Sequence, residues 1–190
     1  MLSRDTPLLH TSRATLRMAT KNDISAILRF YTENAAHFAP TDPHMPDGFY
    51  TEPFWIERIA HRLKAWSSEQ ALSLFIFESE TQEIVGSITL SQMCRGPFQA
   101  FYLGYSLDSK REGTGLMRES LEAVIRFAFQ DLNFHRIMAN HLPENKRSAG
   151  ILKRLGFVTE GLAKDYLFIG GRWRDHVLNS LTNPNWRVEK

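Results

Sequence analysis

YLGYSLDSKREGTGLMRES, residues 102–120, is the stretch on which the fold turns. It opens with an apolar and aromatic run of strand character. It then packs three charges and two glycines into 110–115, and closes on the first turn of an amphipathic helix. Glycine at such a place is costly unless the backbone must turn sharply or come close to something. A helix N-terminus carries unpaired N–H groups and a partial positive charge. Glycines let those groups approach a phosphate, and Lys110, Arg111 and Arg118 add cationic charge. The alternative is a strand-to-helix turn that merely needs glycine. Two nucleotide-binding patterns are excluded: GxxxxGK[ST] is absent, and Arg118 occupies the third glycine position of GxGxxG.

Working outward, residues 14–19 suit a short strand, and Asn22 and Asp23 are good helix caps. Ile24, Ile27, Leu28, Tyr31 and Ala35 then recur at helical spacing. Residues 40–53 hold four prolines and a glycine, and loops of that length are often functional. A helix is expected over 54–66 and strands over 73–78, 83–93 and 100–107. Met117, Leu121, Val124, Ile125, Ala128 and Leu132 share one helical face. A strand over 135–141 leads to a helix from Asn145 that stops at Gly156, behind basic residues in its last turn. Two final strands flank Gly170-Gly171, a hairpin signal. The order β-α-α-β-β-β-α-β-α-β-β describes an α/β chain with a mixed, mainly antiparallel central sheet flanked by helices. No linker divides it, so residues 1–190 read as a single domain.

Composition narrows the function. A hydrophobic fraction of 43% supports a sizeable core. A net charge of +2 does not suggest direct nucleic-acid binding. Cys94 is the one cysteine, so no intrachain disulfide is expected and a cytoplasmic setting fits. Residues 1–18 lack the apolar stretch of a signal peptide, and no run is long enough to span a membrane. His135 and His176 match no metal-ligand pattern, so no metal is expected.

The succession YLGYSL, GTGLM, HRIMANHLPENKRS, RLGF, EGLAKDYLFIGGRWRDHVL and LTNP resembles the GNAT acyltransferase superfamily, and within it the RimJ/RimL branch that acetylates N-termini of ribosomal proteins. The resemblance implies the GNAT fold, acetyl-CoA as cosubstrate, and a loop that cradles its pyrophosphate. It implies cofactor contacts from Leu103, Tyr105, Ser106 and Leu107, from Lys110, Arg111, Glu112, Gly113, Thr114, Gly115, Leu116 and Met117, and from Asn140, Asn145 and Ser148. The implied partner is the N-terminal alanine of a small-subunit ribosomal protein, on the ribosome or its assembly intermediates. Rival readings are acetylation of another amine and a ribosome-assembly factor that uses the fold for binding. Two departures stand out: Lys110 replaces the usual Gln or Arg at the loop's first position, and Tyr102 stands where many relatives carry an acid.

Acetyl transfer to an amine needs a neutral nucleophile, a stabilised oxyanion and a leaving thiolate that receives a hydrogen bond or proton. An α-amino group, with a pKa of about 7.7–8.0, asks less of a base than a lysine near 10.4. Many GNAT members carry a tyrosine four residues before the Gly-Phe pair; here Leu152 stands there. The resemblance gives Ser148 a place near the thioester sulfur and Asn145 a hold on the pantetheine arm, whereas N-x-x-S by itself also reads as helix capping. Glu160 is the first expectation for the base, with a pKa raised by desolvation; pairing with a cation is its alternative. Asp175 and Tyr166 rank second. The aromatics Phe38, Phe49 and Tyr50 either cover the acceptor or pack in the core, and Asp42, Asp47 and Glu52 give their loop an acidic character.

Overall fold

The computed structural model describes residues 5–188; residues 1–4 and 189–190, which the single-domain reading also took in, lie outside the described residues. Eight strands form one sheet: β1 (Leu8–His10), β2 (Ala14–Arg17), β3 (Leu72–Glu78), β4 (Ile84–Cys94), β5 (Ala100–Leu107), β6 (Arg136–Met138), β7 (Val158–Ile169) and β8 (Arg172–Thr182). Their spatial order is β1-β2-β3-β4-β5-β6-β8-β7, antiparallel throughout except for β5 against β6. Five α-helices are found among the described residues: α1 (Ile24–Glu33), α2 (Ala35–Phe38), α3 (Glu52–Ser67), α4 (Leu116–Arg126) and α5 (Lys146–Arg154). The expected mixed, mainly antiparallel sheet is therefore present, with a short first strand and a one-turn α2 that the residue pattern did not single out.

Strand β3 shows why its sequence lacks alternation. Leu72, Leu74 and Ile76 enter one core with Leu121, Val124 and Leu152, while Phe75 and Phe77 enter the other with Ile27, Tyr31 and Trp55. Successive side chains point to opposite faces, and helices cover both, so the run Leu74–Phe77 is apolar at every position. Helix α4 buries Leu116, Met117, Leu121 and Val124 along one stripe. It passes into a wider π turn at Phe127–Asp131, so its apolar face runs on past the α-helical part. Helix α5 is capped by Asn145, whose side chain accepts from the Ser148 N–H at 3.0 Å. It ends on Gly156 at φ +85°, and the Phe157 N–H reaches back to Leu152 O at 3.0 Å.

The feature that creates a site is the short β6. Strand β5 pairs with β4 along its length to Leu107 but meets β6 only at Ala100–Tyr102. Beyond Tyr102 the two parallel strands part, and the start of α5 comes against the freed flank of β5. At the opposite edge, the β1–β2 turn is tied to α4. Ser12 Oγ and the Arg13 N–H donate to Glu119 Oε1 at 2.8 and 3.0 Å, Arg13 Nε donates to Oε2 at 2.8 Å, and Arg13 Nη1 reaches Thr114 O at 3.0 Å. Burial pushes the Glu119 carboxyl up, but hydrogen bonds from Thr11, Ser12 and Arg13 outweigh it and hold it at about 2.

That shift sets a pH dependence of stability. The Glu119 carboxyl is lower in the folded chain than its ordinary 4.5, so its contribution is present above about 4.5 and disappears as pH falls toward about 2. Glu119→Gln should lower Tm at pH 7 by a few degrees, about 1 kcal/mol after solvent screening. The gap to the wild type should close as pH drops through that window. Equal gaps at pH 7 and pH 3 in thermal melts would contradict the assignment.

Candidate active site

After β5 the chain makes a short turn at Ser109–Arg111, seated by Asp108, whose side chain accepts from the Lys110 N–H at 3.0 Å. The buried Asn34 holds the same turn from α1, accepting the Ser109 N–H at 3.0 Å. Gly113 and Gly115 then adopt φ +73° and +82°, and Gly115 caps α4. L-residues with side chains disfavour that region, so both glycines are required by the backbone. A Cβ built on Gly113 would meet nothing within 4 Å, leaving open space above the loop and the N-terminus of the 11-residue α4. This is the geometry of an anion cradle.

A cleft of about 550 Å³ lies over it. Tyr105, Ser106 and Leu107 of β5 form one wall, Asn145 and Ser148 of α5 the other, with Glu112, Gly113, Gly115 and Met117 along the loop and the start of α4. These nine expected residues are thus brought together. Arg118, Arg147 and Arg154 also line it, giving three guanidinium groups suited to phosphates. Arg147, Ile151 and Arg154 form one stripe of α5 beside Ser148 at i, i+4, i+7 spacing, a signal present in the sequence but not used there.

The side chains of the remaining expected cofactor residues are engaged outside the cleft, which leaves the loop's backbone where it was expected. Leu103 and Leu116 are buried in the core, and Thr114 turns its hydroxyl to Arg111 O at 2.8 Å. Lys110 pairs with Glu33 at 3.1 Å, and Arg111 binds Glu78 through two 2.7 Å hydrogen bonds. The loop's own cations therefore fasten it to α1 and β3 rather than line the cleft. Asn140 lies under the final hairpin, donating to Tyr166 Oη at 3.2 Å and accepting the Asn179 N–H at 3.3 Å.

The hydroxyl pair in the cleft is the chemically informative contact. Tyr105 Oη and Ser148 Oγ are 2.7 Å apart. Burial pushes the Tyr105 phenol up to about 12, with the Ser148 hydrogen bond opposing. Leu152, where a tyrosine is common, is 1% exposed and belongs to the core. A phenol thus reaches the Ser148 hydroxyl from β5 instead of from α5.

The expectations for the base need correction. Glu160 pairs with Arg136 and accepts from Ser180 Oγ at 2.8 Å, with 41% of its side chain exposed. Those bonds lower its pKa, opposite to the expected rise, and it lies outside the cleft. Asp175 is likewise lowered, by Lys164 at 2.6 Å and the Asp165 N–H at 3.0 Å. It pins an irregularity in the β7–β8 ladder. Tyr166 stands 3.4 Å from Tyr102 Oη, and burial with that neighbour pushes its phenol up to about 12. It can donate a hydrogen bond but holds its proton at neutral pH. No trio of His, Cys, Asp or Glu suited to a metal is found among the described residues.

A second opening, about 630 Å³, lies between the 39–51 loop and the β7–β8 turn at Gly170-Gly171. Phe38 and Phe49 reach its wall but are core residues, packed with Tyr31 and Trp55; Tyr50 is exposed. Phe38 and Asp42 line both openings.

The glycine turn, the three arginines and the hydroxyl pair make a cleft suited to a phosphate-bearing ligand. The chain belongs to the GNAT acetyltransferase family: the acetyltransferase (GNAT) domain matches residues 13–158. It is an acetyl-transferring enzyme, and the RimJ/RimL resemblance of its motifs is borne out by its relatives. It is 40% identical over 178 residues to the [ribosomal protein uS5]-alanine N-acetyltransferase of Escherichia coli (strain K12), covering 94% of this chain and 92% of that protein. The crystal structure of ribosomal-protein-S5-alanine acetyltransferase from Vibrio fischeri superposes with a TM-score of 0.91 at 34% identity, over 96% of this chain and all of that one. Mycobacterium smegmatis RimJ in complex with CoA-disulfide gives 0.86 at 26% identity, over 95% and 88%.

Gly113→Val forces a β-branched residue to positive φ and places its methyls in the cradle. Calorimetric titration should show CoA binding weakened at least about tenfold, roughly 1.4 kcal/mol. Unchanged affinity in a variant that still melts cooperatively would remove the cradle assignment. Glu160→Gln should leave the acetylation rate within about threefold, since its carboxylate is engaged outside the cleft; a loss near 10²-fold would restore it as base.

Proposed function

We propose that this chain transfers the acetyl group of acetyl-CoA to the N-terminal α-amino group of a ribosomal protein that begins with alanine, the uS5 type. The observation that carries the substrate is the 40% identity, across nearly the whole of both chains, to an enzyme of that specificity. Acetyl-CoA fits the cradle. Backbone amides of 113–117 and the arginines 118, 147 and 154 suit its phosphates, and the flank of β5 left by β6 suits an extended arm. Such an enzyme works where ribosomes are made, so the cytoplasm is the proposed location. No helix among the described residues is long and apolar enough to cross a membrane.

Acetyl-CoA supplies an activated thioester. Ser148 then acts at its sulfur: the hydroxyl donates to the charge that develops as the C–S bond breaks, and Tyr105 donates to Ser148 in turn. Asn145 keeps the first turn of α5 in place through its cap. An α-amine that is largely neutral near pH 8 completes the pairing.

Ser148→Ala should lower kcat about tenfold or more while leaving CoA affinity within about threefold, because the bond strengthens only as the thiolate forms. Tyr105→Phe should act in the same direction, less strongly. Equal loss in both constants would make Ser148 a binding residue. Mass mapping should find acetyl on an alanine-starting peptide and not on an N-terminally blocked peptide containing lysine; the reverse would overturn the Nα reading.

A further inference from the structure

Neither Glu160 nor Asp175 is placed to take a proton from the acceptor amine, and Tyr166 does not release one at neutral pH. We propose that Asp42 is the catalytic base, its carboxylate receiving the α-ammonium of the acceptor where the acceptor opening meets the cofactor cleft. This rests on the Nα-acetyltransferase reading above.

Position carries the inference. Asp42 lines the cleft that holds Tyr105 and Ser148, and it also lines the opening bounded by Tyr31, Phe49 and Gly170. Phe38 is shared as well, but it has no ionisable group. A carboxylate on the wall common to donor and acceptor spaces can contact an amine entering from one and attacking into the other. Its backbone is fixed, the N–H donating to Phe38 O at 2.9 Å, and Thr41 Oγ1 stands 3.5 Å from Oδ1. Among the described residues no lysine or arginine forms an ion pair with it, in contrast to Glu160 and Asp175. Desolvation raises its pKa to about 6, with Thr41 and His37 opposing, so at pH 7 it is ionised and still basic enough to accept a proton.

The charged groups around it are consistent with that role. His37 faces it from α2; Glu112 and Arg147, themselves joined, line the same cleft, with Arg118 and Arg154. His44 and Asp47 line the acceptor opening. In the step, one ammonium proton passes to Asp42 and the nitrogen lone pair attacks the thioester carbonyl carbon. The C–N bond forms and the C–S bond breaks. The second nitrogen proton goes to the departing sulfur beside Ser148. Asp42 returns its proton to solvent, so one ammonium and one thioester yield an amide, a thiol and a proton.

The test is Asp42→Asn with Asp42→Glu beside it, assayed against pH on an alanine-starting peptide and on the blocked lysine peptide. Wild-type kcat/KM should rise through pH about 6 and level off below the α-amino range. Asp42→Asn should fall about 10²-fold at pH 7 and then climb with pH up to about 8, as the amine itself becomes neutral. CoA affinity should stay within threefold in both variants, and Asp42→Glu should recover part of the rate. A loss of less than about threefold, or a loss with the acidic limb unchanged, overturns the proposal. If the wild type prefers the lysine peptide, the acceptor reading fails on its own, and Asp42 is judged by the same criteria on that peptide.

Discussion

The parting of β5 from β6 is the constraint on which the rest depends. Two parallel strands that pair at Ala100–Tyr102 and then separate leave backbone groups on one flank of β5 without a ladder. Buried polar backbone must find partners, so a protein can keep such a gap only where something else will occupy it. Here β6 ends after three residues, its continuation instead bridging Val177 through His141, and the chain turns at Pro143 into the Asn145-capped α5. That turn brings Ser148 to the side of β5 and within 2.7 Å of Tyr105. The same divergence opens the cleft between β5 and α5 that leads to the α4 N-terminus.

Charge is arranged in two tiers around this opening. Lys110 and Arg111 are spent on Glu33 and Glu78, and Arg13 on Glu119 and the Thr114 carbonyl. These contacts hold the glycine loop in one conformation from three directions: α1, β3 and the β1–β2 turn. Pre-ordering a loop before a ligand arrives lowers the entropic cost of binding it. The guanidinium groups that line the cleft are those of Arg118, Arg147 and Arg154, of which Arg118 also pairs with Glu122 at 2.9 Å. Glu112 ties Arg147 and His37 together across the cleft, linking α5 to α2 and so to the wall that carries Asp42.

Much of the fold was legible because it is written in local patterns. The period of the apolar residues announced α1 and α4, the Asn145 cap and Gly156 bounded α5, and Gly170-Gly171 marked the last hairpin. The missed β1 is three residues long and half exposed, with too little apolar pattern to register. The glycine loop was legible for the same reason: positive φ at Gly113 and Gly115 demands that residue type and no other serves as well. Expectations for individual side chains fared unevenly. Ser148 and Tyr105 are in the cleft together, whereas Glu160, Asp175 and Asn140 are held elsewhere by partners distant in sequence.

The sequence by itself determined the order of the longer elements and the place of the glycine turn, because helix period, strand alternation and glycine conformation are properties of neighbouring residues. Tertiary structure alone decided which charges are free to act. An ion pair such as Arg136–Glu160 or Arg111–Glu78 joins residues 24 and 33 positions apart, and no local pattern reports it. The ionisation of a carboxylate follows from those partners and from burial. A carboxylate is therefore a structural clamp at Glu119, while at Asp42 it lines both openings and forms no ion pair with a lysine or arginine among the described residues.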